Sequence, residues 1–233
     1  MITVYTIAFN EEVFIQFMID HYRSRFKDCN IVVYDNESTD KTREIALNNN
    51  CQVISYSTGD KISDSKYLQI KNNCWKQAET DWVLVCDMDE LLDLNEKDLV
   101  KEESLKTSII RSEAYNMVNM NDDYDLANIK HGSRCSPYDK YYCFNKTMIS
   151  EIRYEPGCHN AKPIGNIKLS QDCYKLYHYK CINPDFQVAR YKLYESRLSE
   201  ENKKNRWGEH YLNAEEQIRN GFPLWRNAAV KII

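Results

Sequence analysis

Trp82-Val83-Leu84-Val85-Cys86 is an unbroken apolar run that ends in three acids, Asp87, Asp89 and Glu90. A run of that length suits a strand buried on both faces, as in the middle of a mostly parallel sheet. Acids at its carboxyl end sit where open α/β sheets bind their ligands. Two carboxylates one residue apart can both reach a hard divalent cation, and such a cation can hold a diphosphate. The spacing alone decides little. With 17 Asp in 233 residues, chance supplies about one Asp-x-Asp pair. The chain has a second, Asp123-Tyr124-Asp125, in a polar stretch with no strand leading into it, and that one reads as a solvated loop. What singles out Asp87 and Asp89 is the strand that precedes them.

The length fits one large domain, and 42% hydrophobic with 28% charged residues is ordinary for a globular chain. A net charge of −4 gives no reason to expect nucleic acid as a partner, and only 6 Gly argue against a glycine-rich phosphate loop. The 9 Cys are scattered, with no Cys-x-x-Cys pair. Neither a disulfide framework nor a zinc cluster fits them, and reduced, packed thiols in the cytoplasm do. A strand within the first residues leaves no room for a leader peptide, and no run has the length of a membrane span.

Ile2 to Phe9 reads as the first strand, and Asn10-Glu11-Glu12 as the start of a helix with Asn10 as its cap. Ile31 to Tyr34 is a second strand, closing in Asp35-Asn36-Glu37-Ser38-Thr39-Asp40-Lys41-Thr42, with Ser38 or Thr39 capping a helix to about Leu47. Cys51–Tyr56 is a third strand and Ser63–Glu79 a long helix that delivers the chain to Trp82. This alternation argues for parallel strands joined by crossover helices. A helix over Lys97–Leu105 and a strand over Ser108–Val118 follow, and there the alternation stops. Short mixed strands are expected at Tyr141–Phe144, Glu151–Tyr154 and Lys175–Tyr179, then helices over Asp185–Lys204 and Ala214–Arg219.

Taken in order, Thr6-Ile7-Ala8-Phe9-Asn10-Glu11-Glu12, the segment Asp35 to Thr42, Lys71-Asn72 and Asp87-Met88-Asp89-Glu90 resemble the glycosyltransferase family 2 group, of GT-A fold. The resemblance covers about the first 90 residues. It implies an α/β fold with a mostly parallel central sheet flanked by helices, a smaller mixed acceptor half and C-terminal helices. The corresponding boundaries are a nucleotide-sugar half over 1–118, an acceptor half over 119–183 and a helical extension over 184–233. It also implies donor contacts from Ala8, Asn10, Glu12, Asp35, Lys71, Asn72, Asp87 and Met88, with Mn²⁺ or Mg²⁺ on Asp87 and Asp89. The reaction implied is inverting transfer of a hexose from a nucleotide-sugar, a UDP-sugar before others, to a glycan or lipid-linked glycan.

The second half departs from the best-known members, which carry a Glu-Asp pair supplying the catalytic base. Here stand Tyr154-Glu155-Pro156-Gly157-Cys158-His159-Asn160 and Leu176-Tyr177-His178-Tyr179-Lys180, similar to a subgroup with Gly-x-His and His-Tyr-Lys motifs. Glu155 and His159 flank a turn that can aim either into a cleft, so both are candidates for the base, with Asp139 next. His178 is the candidate third metal ligand; the alternative is a histidine satisfied within an aromatic cluster. The helix from Asp185 carries Arg190, Lys192 and Arg197 among aromatics. Its interleaved glutamates favour packing across the sheet over a peripheral membrane contact. Two rivals to a transferase are a nucleotidyltransferase, whose basic glycine-rich loop is missing from Thr6–Glu12, and an inactive sugar-nucleotide binding module.

Overall fold

The computed structural model describes residues 1–121 and 125–233. Asp123 and Tyr124 of the second Asp-x-Asp pair therefore lie outside the described residues. Asp125 caps a short turn, accepting from the Ala127 amide at 2.9 Å.

The first half alternates as its apolar runs require: β1 (Ile2–Ala8), α1 (Glu12–Arg25), β2 (Cys29–Asp35), α2 (Thr42–Asn48), β3 (Gln52–Ser55), α3 (Asp64–Asn73) and β4 (Trp82–Asp87). The four strands pair in parallel in the order β3-β2-β1-β4. β4 is buried on both faces from Trp82 to Cys86. Its even positions meet Phe14, Met18 and Tyr22 of α1, while Val83 and Val85 meet Trp75, Phe144 and Tyr154 on the other side.

Asn10 and the loop after β2 cap each other's helices. Asn10 Oδ1 accepts from the Thr39 and Asp40 amides at 2.8 and 3.3 Å. In return Asp40 accepts from the Glu12 amide at 3.0 Å, and Thr42 Oγ1 from the Glu11 amide at 2.7 Å. Glu12 accepts from the Lys41 amide at 3.1 Å. Asn10 thus serves the neighbouring loop, and its left-handed φ of 53° turns the chain into α1 without capping it. The orphan amides that begin both helices are satisfied by reciprocal side-chain acceptors.

After β4 come β5 (Glu90–Leu92), α4 (Glu96–Ser104), β6 (Ile109–Val118), β7 (His131–Arg134), β8 (Cys143–Asn145), β9 (Ile149–Glu151), β10 (Ile164–Gly165) and β11 (Leu169–Cys181). β8 runs antiparallel to β4 in register with Trp82, Val83 and Leu84, and the Val85 amide donates to the Tyr142 carbonyl at 2.9 Å just before β8. The sheet therefore parts beside the last residues of β4, and the acids stand in the parting. β11 is longer than the expected Lys175–Tyr179 because it is held on both sides, parallel to β6 and antiparallel to β5. The strand expected over Glu151–Tyr154 sits earlier, since Arg153 takes a left-handed φ of 54° that ends it.

The expected helix over Asp185–Lys204 is two, α5 (Pro184–Arg197) and α6 (Glu200–Asn205). Ser199 caps the second, accepting from the Asn202 amide at 3.1 Å. Glu200 and Glu201 fill its first turn, an N-terminal signature present in the sequence. α7 (Glu215–Ala228) outruns Ala214–Arg219, because Ile218 and Phe222 pack on Val118, Cys181 and Val188 and carry the helix past Gly221 and Pro223. A final strand, β12 (Val230–Lys231), pairs with β7. No helix among the described residues is long and apolar enough to cross a membrane.

Asn72 clamps the two halves: its Oδ1 accepts from the Tyr154 amide at 2.7 Å and its Nδ2 donates to the Tyr154 carbonyl at 3.4 Å. Asn72→Ala leaves a backbone amide beside the buried Tyr154 unpaired. The expected loss is about 1–3 kcal/mol, read as a Tm fall of roughly 2–10 °C. An unchanged Tm would show that the clamp contributes nothing.

Candidate functional site

A cleft of about 430 Å³ opens at the carboxyl edge of the sheet. The half-buried Asp87, at the end of β4, receives the Lys71 ammonium from α3 at 2.5 Å and the Lys140 ammonium at 3.8 Å. Burial alone would push the Asp87 carboxyl up; the two lysines outweigh it and hold the carboxyl well below its usual range. Lys71 is itself buried, which disfavours its charge, but the contact with Asp87 more than restores it. Glu90, 1% exposed, takes the same Lys140 at 2.9 and 3.3 Å. Burial still pushes the Glu90 carboxyl up to about 7 against that ammonium.

β-Sheet register puts His178 beside Asp89. On β11, His178 is directly opposite Glu90 of β5, and the next amide, Tyr179, donates to the Asp89 carbonyl at 2.8 Å. His178 Nε2 lies 3.9 Å from Asp89 Oδ2. On the other flank β6 sets Asn116 opposite His178, and Asn116 Oδ1 meets His178 Nδ1 at 2.8 Å. An amide oxygen can only accept. Nδ1 therefore carries the hydrogen and Nε2 the lone pair. Burial pushes the His178 imidazole down to about 3, despite the attraction of Asp89. An unprotonated nitrogen facing a carboxylate is a cation's donor pair, oriented by its neighbour as metal-binding histidines are. Among the described residues no cluster of three His, Cys, Asp or Glu side chains is grouped to hold an ion unaided.

The tail closes the cleft. Arg190 of α5 reaches Asp89 at 3.4 Å and Glu11 at 2.9 Å, and Tyr194 donates to Glu11 at 3.0 Å. Burial pushes the Glu11 carboxyl up to about 7 against the pull of Arg190. Five carboxylates in the cleft wall (Glu11, Asp64, Asp87, Asp89, Glu90) face five cations (Lys71, Lys140, Lys180, Arg190, Arg197).

His159 follows the Pro156-Gly157 turn, and its ring packs on Tyr138 at 4.6 Å, as the His178 ring does at 4.5 Å. His159 Nδ1 lies 3.0 Å from the Pro137 carbonyl, which can only accept, so the Nε2 lone pair is free. Burial and the nearby Lys140 lower its pKa from 6.5.

The other sequence candidates sit elsewhere. Met88 lines the cleft; Ala8, Asn10, Glu12, Asp35 and Asn72 are not in its wall. Asn10 and Glu12 are engaged in the reciprocal caps and Asn72 in the Tyr154 clamp. Asp35, 2% exposed, accepts from the Ser38 amide at 3.2 Å within its own turn. Glu155 pairs with Lys162, outside the cleft, and Asp139 pairs with Arg134 and accepts from the Ala114 amide at 2.8 Å. Sequence reasoning passed over Glu11, Glu90, Lys140 and the cleft-facing roles of Arg190 and Arg197. For Glu90 a signal existed: it follows the buried strand directly, and a buried acid requires a cation.

Residues 3–97 match the family model described as Glycosyl transferase family 2. That segment runs from β1 into α4 and contains Lys71, Asp87 and Asp89. No curated protein matches the chain. Among solved structures, S. aureus TarS is similar with a TM-score of 0.50 and 15% identity, over 84% of this chain and 39% of TarS. TarS 1–349 in complex with UDP has a TM-score of 0.49 at 15% identity, covering 91% of this chain and 70% of that one. Glucosyl-3-phosphoglycerate synthase from Mycobacterium tuberculosis, in complex with Mn²⁺, UDP and glucosyl-3-phosphoglycerate, has a TM-score of 0.41 at 16% identity, with coverages of 68% and 62%. The chain thus spans about two fifths of the TarS chain. The likeness is one of fold, and the fold is GT-A-like.

Gly157 has a φ of +77°, and a Cβ there would stand 2.8 Å from His159 Cδ2. Gly157→Ala should strain the turn and push the His159 ring off the Pro137 carbonyl. The expected signature is a shift of the His159 imidazole resonances in NMR, with a stability loss of about 1 kcal/mol or more. Unmoved resonances would show that Gly157 does not position the ring.

Proposed function

We propose that the cleft binds a nucleotide-sugar, UDP-linked before others, and transfers its hexose with inversion to a hydroxyl of a glycan or lipid-linked glycan. The observation that carries this reading is the donor pair formed by Asp89, just past a buried strand within the matched family segment, and His178 Nε2, brought beside it by β11. On this reading residues 1–118 form the donor half, 119–183 the acceptor half, and 184–233 close the site. Asp89 and His178 would hold Mn²⁺ or Mg²⁺, with Asp87 beside them. A divalent cation there supplies charge neutralisation to the leaving diphosphate.

The protein's own groups do the rest. Lys71 stands at the same edge and stabilises negative charge as the sugar–phosphate bond breaks. His159 Nε2 takes the proton of the acceptor hydroxyl as its oxygen attacks the sugar carbon from the opposite face. Tyr138, Trp207 and Tyr211 also line the cleft and add aromatic surface for the acceptor. Because the His159 pKa is lowered, the ring stays neutral and competent to pH values below 6.5. Activity is therefore retained from neutral pH down past 6.5 and lost only as the imidazole protonates at lower pH.

His159→Gln should lower kcat by about 10²-fold or more and remove that acid limb, while the nucleotide Kd is unchanged. Normal turnover would move the base elsewhere. His178→Ala should weaken Mn²⁺ affinity about 10-fold or more, measured by titration calorimetry with nucleoside diphosphate present. Undiminished Mn²⁺ affinity would remove His178 from the site.

A further inference from the structure

Arg197, the last residue of α5, is 3% exposed and lies in the cleft wall. Its Nε donates to Asp60 Oδ1 at 3.0 Å. Its Nη1 and Nη2 are buried and have no hydrogen-bond partner among the described residues. The group is held in place: the Ile62 amide donates to the Arg197 carbonyl at 2.6 Å, and the Ser199 amide to the Ile62 carbonyl at 3.3 Å. Its Cζ stands over the Phe9 ring, 3.1 Å from the ring centre, a cation–π contact that holds the guanidinium against the ring. Methionine or leucine would fill the same volume without leaving charged donors unanswered. A guanidinium kept there calls for oxygen acceptors from a ligand.

The position says which part of the ligand. Phe9 follows β1, and the Arg197 charge acts on Tyr56 and Tyr67; the Tyr56 amide donates to the Asp35 carbonyl at the end of β2. This is the β1–β2 side of the parting. In open α/β sheets a nucleotide lies over the carboxyl ends of these strands. With the diphosphate at Asp87 and Asp89, the base falls on the Phe9 side. Asp35 is occupied in its own turn, whereas Arg197 has donors to spare.

We infer that Arg197 is a specificity-determining residue that reads the keto oxygen of the nucleobase, resting on the nucleotide-sugar reading above. Arginine donates and never accepts. It pairs with O4 of uracil or thymine and O6 of guanine, and opposes the amino groups that cytosine and adenine carry at those positions. Matched pairs of ligands isolate this one contact.

The test is calorimetric binding of UDP, CDP, GDP and ADP, each with Mn²⁺, to the full chain and to Arg197→Met, with Mn²⁺-pyrophosphate as a base-free control. The wild type should prefer UDP over CDP, or GDP over ADP, by about 10-fold or more. Arg197→Met should bring that ratio near one while Mn²⁺-pyrophosphate binding stays the same. Arg197→Lys, which keeps charge without the planar fork, should fall between. Wild-type ratios near one overturn the assignment whatever the variants do, and so does a ratio that survives in Arg197→Met. Failure of every nucleotide to bind the folded wild type sinks the nucleotide-sugar reading itself, and this inference with it.

Discussion

Three acids crowded at the end of one buried strand need cations, and the chain supplies one from each of its three parts. Lys71 comes from the parallel half, Lys140 from the mixed segment and Arg190 from the C-terminal helices. They meet Asp87, Glu90 and Asp89 at 2.5, 2.9 and 3.4 Å. Burying such charges is costly, and removing either partner of a pair leaves the other uncompensated. The acids after β4 are therefore the point on which the separate segments converge, as well as the floor of the cleft. Glu11 extends the set by binding the same Arg190, and so ties α5 to the start of α1.

That arrangement bears on ligand entry. Asp89 shares its carboxylate between Arg190 and the lone pair of His178. The first contact is attractive and the second repulsive, so the pair is poised to accept a cation. Lys71 and Arg190 are pre-positioned and desolvated, and such groups act on developing charge without first reorganising solvent. The tail that brings Arg190 also brings Arg197, so closure of the cleft and the proposed contact with a nucleobase would be properties of one helix.

The first half of the chain was legible because its signals are local. An apolar run ending in acids defines β4, and strand–cap–helix spacing defines the elements around it. The same motifs do not bring every candidate into the cleft wall. Asn10 and Glu12 stand after a strand, where ligand contacts are expected, yet their oxygens are used in capping α2 and its loop. The second half was legible only as strands and turns. His178 meets Asp89 through a register between β5 and β11 that no local pattern encodes. Arg190 and Arg197 were read as members of a charged helix, because periodicity cannot tell a solvated arginine from one facing a buried acid. Glu155 and His159 were equivalent in sequence; the turn at Gly157 sends only His159 into the cleft.

The central claim is that Asp89 and His178 together form the cation site of a nucleotide-binding cleft. A crystal structure of the chain with Mn²⁺ and a nucleoside diphosphate, measured at the manganese absorption edge, tests it directly. The account predicts an anomalous peak bonded to both the Asp89 carboxylate and His178 Nε2, with the diphosphate against the ion and Lys71 close by. A nucleotide bound in the cleft with manganese elsewhere, or with His178 Nε2 turned from the ion, would contradict it.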